Sequence, residues 1–284
     1  MKVIKIINNN IVSSLDENGN ELVVMGRGLG FQAKSGQMID ESKVEKVFRM
    51  ETNEQARRLG SLLADMPIEY VQLVNSIISE AKKTIDKEMN KNLYITLIDH
   101  IGFAIERCKQ GIEFSNPLLW EIKKFYPQEF KVGQKAVSII NSRFNTRLTE
   151  HEAASIAMHF VNAELGSELP EVMDITKIIQ DVLKIVKYHF NVVLDEESLS
   201  YERFITHLKF FSQRIVTGTN AIEANDELNS IIKSHYPYEY KCAQKIKKYI
   251  NDRYHAEVSE EEMTYLTIHI KRVTSVNKKH ADLG

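Results

Sequence analysis

Cysteine and proline are scarce in this 284-residue chain, with two and five respectively, and neither sign of charge dominates: 37 Lys+Arg face 39 Asp+Glu, for a formal net charge of −2. Cys108 and Cys242 lie far apart and in no metal-type spacing, so neither a disulfide framework nor a cysteine-based zinc site is expected. Both read as small buried apolar residues. No run approaches the roughly 20 apolar residues that cross a bilayer, and the start Met1-Lys-Val-Ile-Lys-Ile-Ile7 lacks the apolar stretch and cleavage site of a secretory signal. A cytoplasmic protein is expected. Balanced charge excludes a protein that coats nucleic acid by bulk electrostatics, yet leaves room for a small local binding face. No Walker-type glycine loop, kinase signature or nucleophile elbow occurs, so the chain is expected to receive phosphate rather than to act as an enzyme that generates it.

The texture of what is present changes along the chain. Up to about residue 50 it is β-branched and punctuated by glycine, and Lys2–Ile7, Ile11–Leu15, Glu21–Met25 and Lys43–Phe48 read as four strands. Asn18-Gly19, between the second and third, supplies hairpin-turn chemistry. A sheet this small buries little surface, so self-association is the expected source of stability. From Leu59 onward the period becomes helical, as in Ile68, Val71, Val74 and Ile78, or Leu97, Ile101, Ala104 and Cys108. Thr149-Glu-His-Glu152 and Ser259-Glu-Glu-Glu262 read as capping boxes opening two helices. The segment Leu165–Glu171, with Gly, Ser and Pro, reads as a linker. The fold expected is α+β multidomain: a small four-stranded antiparallel sheet (residues 1–56), then two homologous all-α helical-bundle domains (57–170 and 171–284).

The homology is internal. Tyr126–His159 and Tyr236–His269, offset by 110, share 12 of 34 residues, and an offset of 107 aligns Ile98, His100, Phe103 and Arg107 with Ile205, His207, Phe210 and Arg214. This is one tandem duplication rather than a long solenoid. The three-residue difference fits a longer loop around Thr217-Gly-Thr-Asn220. Duplication sorts the nine histidines: His100 matches His207 and His159 matches His269, whereas His151, His189, His235, His255 and His280 have no counterpart and read as exposed or helix-end residues.

Imidazole titrates near neutrality, so it can accept a phosphoryl group or bind a metal. No His-Glu-x-x-His or Glu-x-x-His spacing occurs, and Asp99 beside His100 is replaced by Thr206 in the second copy, so no metal or cofactor is expected. Phosphorylation fits better: Arg107 and Arg214 each follow a matched histidine by seven residues, two turns along one helical face, and a guanidinium suits a phosphoryl dianion.

Before these helices, Asn8-Asn-Asn10 and Gly26-Arg-Gly-Leu-Gly-Phe-Gln32 combine amides, arginine, glycine and an aromatic, residues able to read or stack on bases and equally common in turns. Here a resemblance becomes specific. Ile6–Val12, Glu21–Gly36 and Val44–Phe48 resemble the co-antiterminator RNA-binding domain of the BglG/SacY/LicT family of transcriptional antiterminators, and the duplicated helical region resembles that family's paired phosphotransferase-system regulation domains. The likeness spans essentially the whole chain and is nearest the β-glucoside branch.

The resemblance implies a homodimer whose small domains bind a leader-RNA antiterminator hairpin and so prevent termination of a sugar-utilisation operon. It implies that Asn10, Gly26, Arg27 and Phe31 contact RNA, with Lys5, Asn8, Gly28 and Gln32 as further candidates. It also implies phosphoacceptors at His100 and His159 in the first regulatory domain and at His207 and His269 in the second, with Asp99, Arg107 and Arg214 in support. The sugar-specific permease (EII) would phosphorylate the first domain and inactivate the protein; the phosphocarrier protein HPr would phosphorylate the second and favour activity. A DNA-binding activator with the same regulatory domains would need a helix-turn-helix start, which the strand pattern disfavours. A metal-dependent helical enzyme would hold metal at the paired histidines.

Overall fold

The structure, a computed structural model, describes residues 1–49, 52–64, 66–90, 92–166, 169–218 and 226–275. His280, Ser167 and Glu168 of the expected linker, and Thr219-Asn220 of the expected longer loop lie outside them. The chain divides into two compact units, Met1–Ser167 and Glu168–Gly284.

The first unit opens with strands β1 (Lys5–Asn8), β2 (Ile11–Leu15), β3 (Glu21–Met25) and β4 (Lys46–Arg49), paired antiparallel in the order β1-β2-β3-β4. β2 and β3 keep the expected bounds, and Asp16–Asn20 forms the turn between them, with Gly19 at φ +82° and the Asp16 carboxylate accepting from the Asn18 and Asn20 amides. β1 starts three residues later than expected: Lys2 makes only an isolated bridge to Met38. β4 also starts three residues late. Asp40 accepts hydrogen bonds from the Ser42 amide and hydroxyl and so closes a 3-10 turn over Glu41–Lys43, which takes Lys43 out of the strand.

Strand residues Ile11 to Ser14 are all buried, where a sheet with one wet face would alternate. One face carries the cluster Val3, Val12, Leu22, Val24, Leu29 and Ile39, under the loops that follow β3. The other is covered by helix α1 (Asn53–Ala64), which packs on β1, β2 and β3. Gly60 meets Ile7 there, leaving a Cβ only 3.1 Å from its Cδ1. Asn8 donates to the Leu63 and Ala64 carbonyls at the end of α1, at 2.8 and 3.3 Å. The small sheet thus finds an apolar cover within its own chain.

Among the described residues this unit continues with α2 (Ile68–Ala81), α3 (Leu93–Lys109), α4 (Leu119–Phe125), α5 (Pro127–Phe144) and α6 (Glu150–Leu165). The second unit contains α7 (Leu169–Phe190), α8 (Leu199–Thr217), α9 (Asp226–His235), α10 (Pro237–Tyr254) and α11 (Glu260–Ser275). The repeat read from sequence is repeated in the backbone: α5 and α10, and α6 and α11, begin and end 110 residues apart. Even the left-handed C-caps match, Asn145 at φ 52° and His255 at φ 53°. Pro127 and Pro237 each open a helix, where a missing N–H costs nothing. α7 starts at Leu169, so helix occupies part of the expected linker.

Of the cysteines, Cys242 is buried, and burial pushes its thiol up to about 12. Cys108 is only half-buried, contrary to expectation, because it lies in the last turn of α3, where its Sγ accepts from the Arg147 amide at 3.4 Å.

Candidate functional site

The matched histidines converge within each copy. His100 on α3 faces His159 on α6 with ring centroids 4.7 Å apart, and His207 on α8 stacks on His269 of α11 at 4.8 Å and 17°. Spacing explains how. His100 and Arg107 are seven residues apart on α3, Glu152 and His159 seven apart on α6, and seven residues is close to two turns. The two helices run antiparallel, so histidine meets histidine at one level and Arg107 pairs with Glu152 at the other. In the second copy the Arg214 Nε and Nη2 both reach Glu262 Oε1, at 2.6 and 2.5 Å.

The arginines therefore do not reach back along their own helices to the histidines; each binds a carboxylate on the facing helix. Glu152 and Glu262 were expected as capping-box residues. Thr149 makes no side-chain cap bond, and although the Ser259 hydroxyl accepts from the Glu262 amide at 3.2 Å, the Glu262 carboxylate turns to Arg214. A buried carboxylate gains more from a guanidinium than from a backbone amide. Sequence reasoning gave neither glutamate a functional role, although both are identities of the repeat, seven residues before a matched histidine. Glu152 also places Oε1 2.7 Å from His100 Nε2, off the line a hydrogen bond needs. Arg107 is further held over the Phe114 ring, 4.4 Å from its centroid.

Burial governs the electrostatics. His159 is pushed down to about 3 by desolvation and then by the neighbouring His100, and His207 to about 3 by desolvation, His269 and Arg214. Desolvation, Arg272 and Arg203 lower His269. These imidazoles are neutral at neutral pH and keep a lone pair. His159 Nδ1, His207 Nε2 and His269 Nδ1 have no hydrogen-bond partner among the described residues. Desolvation raises Glu262, against the pull of Arg214.

A pH dependence follows. The unfolded chain protonates these histidines near 6.5, whereas folded His159 and His207 resist protonation down to about 3. Their contribution is complete above pH 6.5 and is lost as pH falls from there toward 3. Urea unfolding at pH 7.5 and 5 is expected to show lower stability at pH 5, with a smaller loss in His159→Gln.

No group of three or more His, Cys, Asp or Glu able to hold a metal occurs among the described residues, and no helix among them is long and apolar enough to cross a membrane. Among the described residues, the unmatched histidines are packed or peripheral. His151 accepts from the Asn116 amide at 3.1 Å, His189 packs on Tyr238 near the end of α7, and His235 and His255 are exposed at helix ends.

At the amino-terminal sheet, the loop after β3 is stitched to the β1–β2 turn. Gly26 and Gly30 donate to the Asn10 and Asn9 carbonyls, and Gly28 donates to Asn10 Oδ1, each at 2.8 or 2.9 Å. Gly26 is buried against the Lys43 carbonyl, where a Cβ would lie 1.8 Å from the oxygen; Gly28 needs its φ of +69°. What this framework exposes is Arg27, Gln32 and Phe31, the last 62% accessible, while Lys5 is exposed on β1. Asn8 faces α1 rather than solvent.

Comparisons with known proteins cover both the amino-terminal sheet and the two helical copies. A CAT RNA binding domain model matches residues 1–57, and a PRD domain model matches residues 75–163 and 180–273. The transcription antiterminator LicT of Bacillus subtilis (strain 168) is 46% identical over 273 residues, 96% of this chain and 99% of LicT. The chain belongs to the LicT-type family of transcription antiterminators. A beta-glucoside operon antiterminator of Dickeya chrysanthemi is 44% identical over 97% of each chain. Among solved structures, the crystal structure of GlcT CAT-PRDI aligns with TM-score 0.50 and 29% identity, covering 57% of this chain and 97% of that one. In family terms, the two histidine pairs lie in successive PRD domains, and the loop that exposes Arg27, Phe31 and Gln32 lies in the CAT domain.

Proposed function

We propose that this chain is an RNA-binding transcription antiterminator: as a cytoplasmic homodimer it stabilises a leader-RNA hairpin through residues 1–56 and prevents termination of a sugar-utilisation operon. Two homologous regulation domains, 57–170 and 171–284, control it by histidine phosphorylation and catalyse no reaction of their own. The observation that carries this reading is the histidine pair built twice on matching antiparallel helices in PRD domains, in a chain that begins with a CAT RNA binding domain.

On the RNA side, Phe31 stacks on an unpaired base and Arg27 enters the groove beside it, with Lys5 on the phosphates and Gln32 on base edges. Asn10 and Gly28 hold the loop in shape at its partly exposed edge; Asn8 and Gly26 act from within. On the regulatory side, His100, His159, His207 and His269 accept phosphoryl groups. EII is the donor for the first domain and HPr for the second, with inhibition and activation as the respective outcomes.

The geometry around His100 supports a switch. A phosphoryl group brings about −1.5 to −2 charges to a ring whose Nε2 lies 2.7 Å from Glu152. It repels that carboxylate and attracts Arg107, the carboxylate's own partner, so α3 and α6 must readjust. Asp99, exposed beside His100, adds repulsion that keeps the unphosphorylated state favoured when donor is scarce.

The test is a gel-shift titration of the full chain against leader hairpins containing internal loops, with a fully paired duplex as control. Saturable binding to a looped hairpin but not to the duplex is expected; equal binding to both would overturn the reading.

A further inference from the structure

The two copies share histidines, a glutamate and an arginine, but they differ in charge where the paired helices continue past the histidine rings. On α8 and α11 the His207–His269 stack lies between two levels. At one, Arg214 pairs with Glu262. At the other stand Arg203, four residues before His207, and Arg272, three residues after His269, and the antiparallel register brings these two to the same level. Phe204, stacked on His269 at 6.2 Å, marks that level. Both arginines are exposed, and the charge of each is felt at His269.

In the first copy the same positions, by offsets of 107 and 110, are Thr96 and Asn162. Asp99 adds a negative charge beside His100 where the second copy has Thr206. The guanidinium that the first copy does bring to this helix pair, Arg107, is bound to buried Glu152. Taking Arg107 for a phosphoryl group would leave that carboxylate buried without its cation, a costly arrangement.

We infer that Arg203 and Arg272 hold a phosphoryl group on the second histidine pair while Arg214–Glu262 stays closed, whereas the first pair holds one only by opening Arg107–Glu152 and therefore releases it sooner. This rests on the proposed phosphorylation of all four histidines and adds an asymmetry between them. The first domain is a fast-relaxing signal coupled to an interhelical ion pair. The second is a longer-lived one, and Arg203 and Arg272 are its positioning residues.

Phosphoramidate tests this without a docking partner. An imidazole nitrogen attacks phosphorus, the bond from phosphorus to the amino group breaks and ammonia leaves; in hydrolysis, water attacks phosphorus and the imidazole departs with a proton. The full chain is phosphorylated, the reagent is removed, and the decay at each histidine is followed by mass spectrometry of the peptides and by phosphorus NMR. Phosphate on His207 and His269 is expected to outlast that on His100 and His159 by about three- to tenfold, the range for one or two partly exposed charge-assisted contacts. Arg203→Thr with Arg272→Asn should shorten the second lifetime to that of the first. Thr96→Arg with Asn162→Arg should lengthen the first, a gain that a merely structural role would not give. Equal lifetimes in the unmodified chain, or no response to either pair of substitutions, would overturn the inference and leave phosphorylation itself standing. No phosphate on any of the four histidines would instead overturn the underlying function.

Discussion

Arg107→Met is expected to destabilise the first helical domain by about 3 kcal/mol, because it leaves the Glu152 carboxylate buried without its cation. Methionine keeps most of the apolar stem that packs near Phe114, so the loss reports charge rather than volume. With side chains only 13% and 3% exposed, solvent screens the pair weakly. Combining it with Glu152→Gln removes the stranded charge and should restore more than half of the loss. Hydrogen exchange of α3 and α6 amides measures both. If the double substitution is as unstable as the single one, Arg107 acts through packing and the switch proposed for His100 lacks its bistable element.

The second large effect separates binding from folding within one loop. Phe31→Ala should weaken binding to a looped RNA hairpin by about ten- to a hundredfold, the range for losing one base–aromatic stack, while leaving the melting temperature nearly unchanged, since the ring is 62% exposed. Gly26→Ala should do the reverse in kind. Its methyl group would lie 1.8 Å from the Lys43 carbonyl oxygen, so the loop must leave the β4 side of the sheet and RNA binding falls together with stability. Circular dichroism melts with fluorescence-anisotropy titrations distinguish the two. A Phe31→Ala protein that binds RNA normally would move the contact surface elsewhere.

Which parts of this were legible in the sequence follows from the range of the forces involved. β2, β3 and the Asn18-Gly19 turn were readable because local propensity and turn chemistry agree there. The start of β4 was not, because Asp40 closes a turn through a side-chain bond that competes with strand pairing; nor was that of β1, where Lys2 makes only an isolated bridge to Met38. The histidine pairs were visible through internal duplication, and their antiparallel meeting explains why two seven-residue spacings occur. Arg107 was recognised as a functional candidate, but its partner was not: a glutamate three residues after a threonine reads as a helix cap until the facing helix supplies a guanidinium. Likewise Asn8 and Gly26 have the right chemistry for reading RNA, yet tertiary contacts to α1 and to the Lys43 carbonyl turn them inward. Exposed Arg27 and Phe31 are what that inward framework presents.

In the proposed function, phosphate charge on the histidine pairs sets RNA binding with opposite sign in the two domains. The most direct measurement is the hairpin affinity and sedimentation of the full chain carrying aspartate at one pair or the other. His207→Asp with His269→Asp is predicted to tighten RNA binding and favour the dimer, and His100→Asp with His159→Asp to weaken both. Two variants that both match the unmodified chain in affinity and oligomeric state would contradict the account.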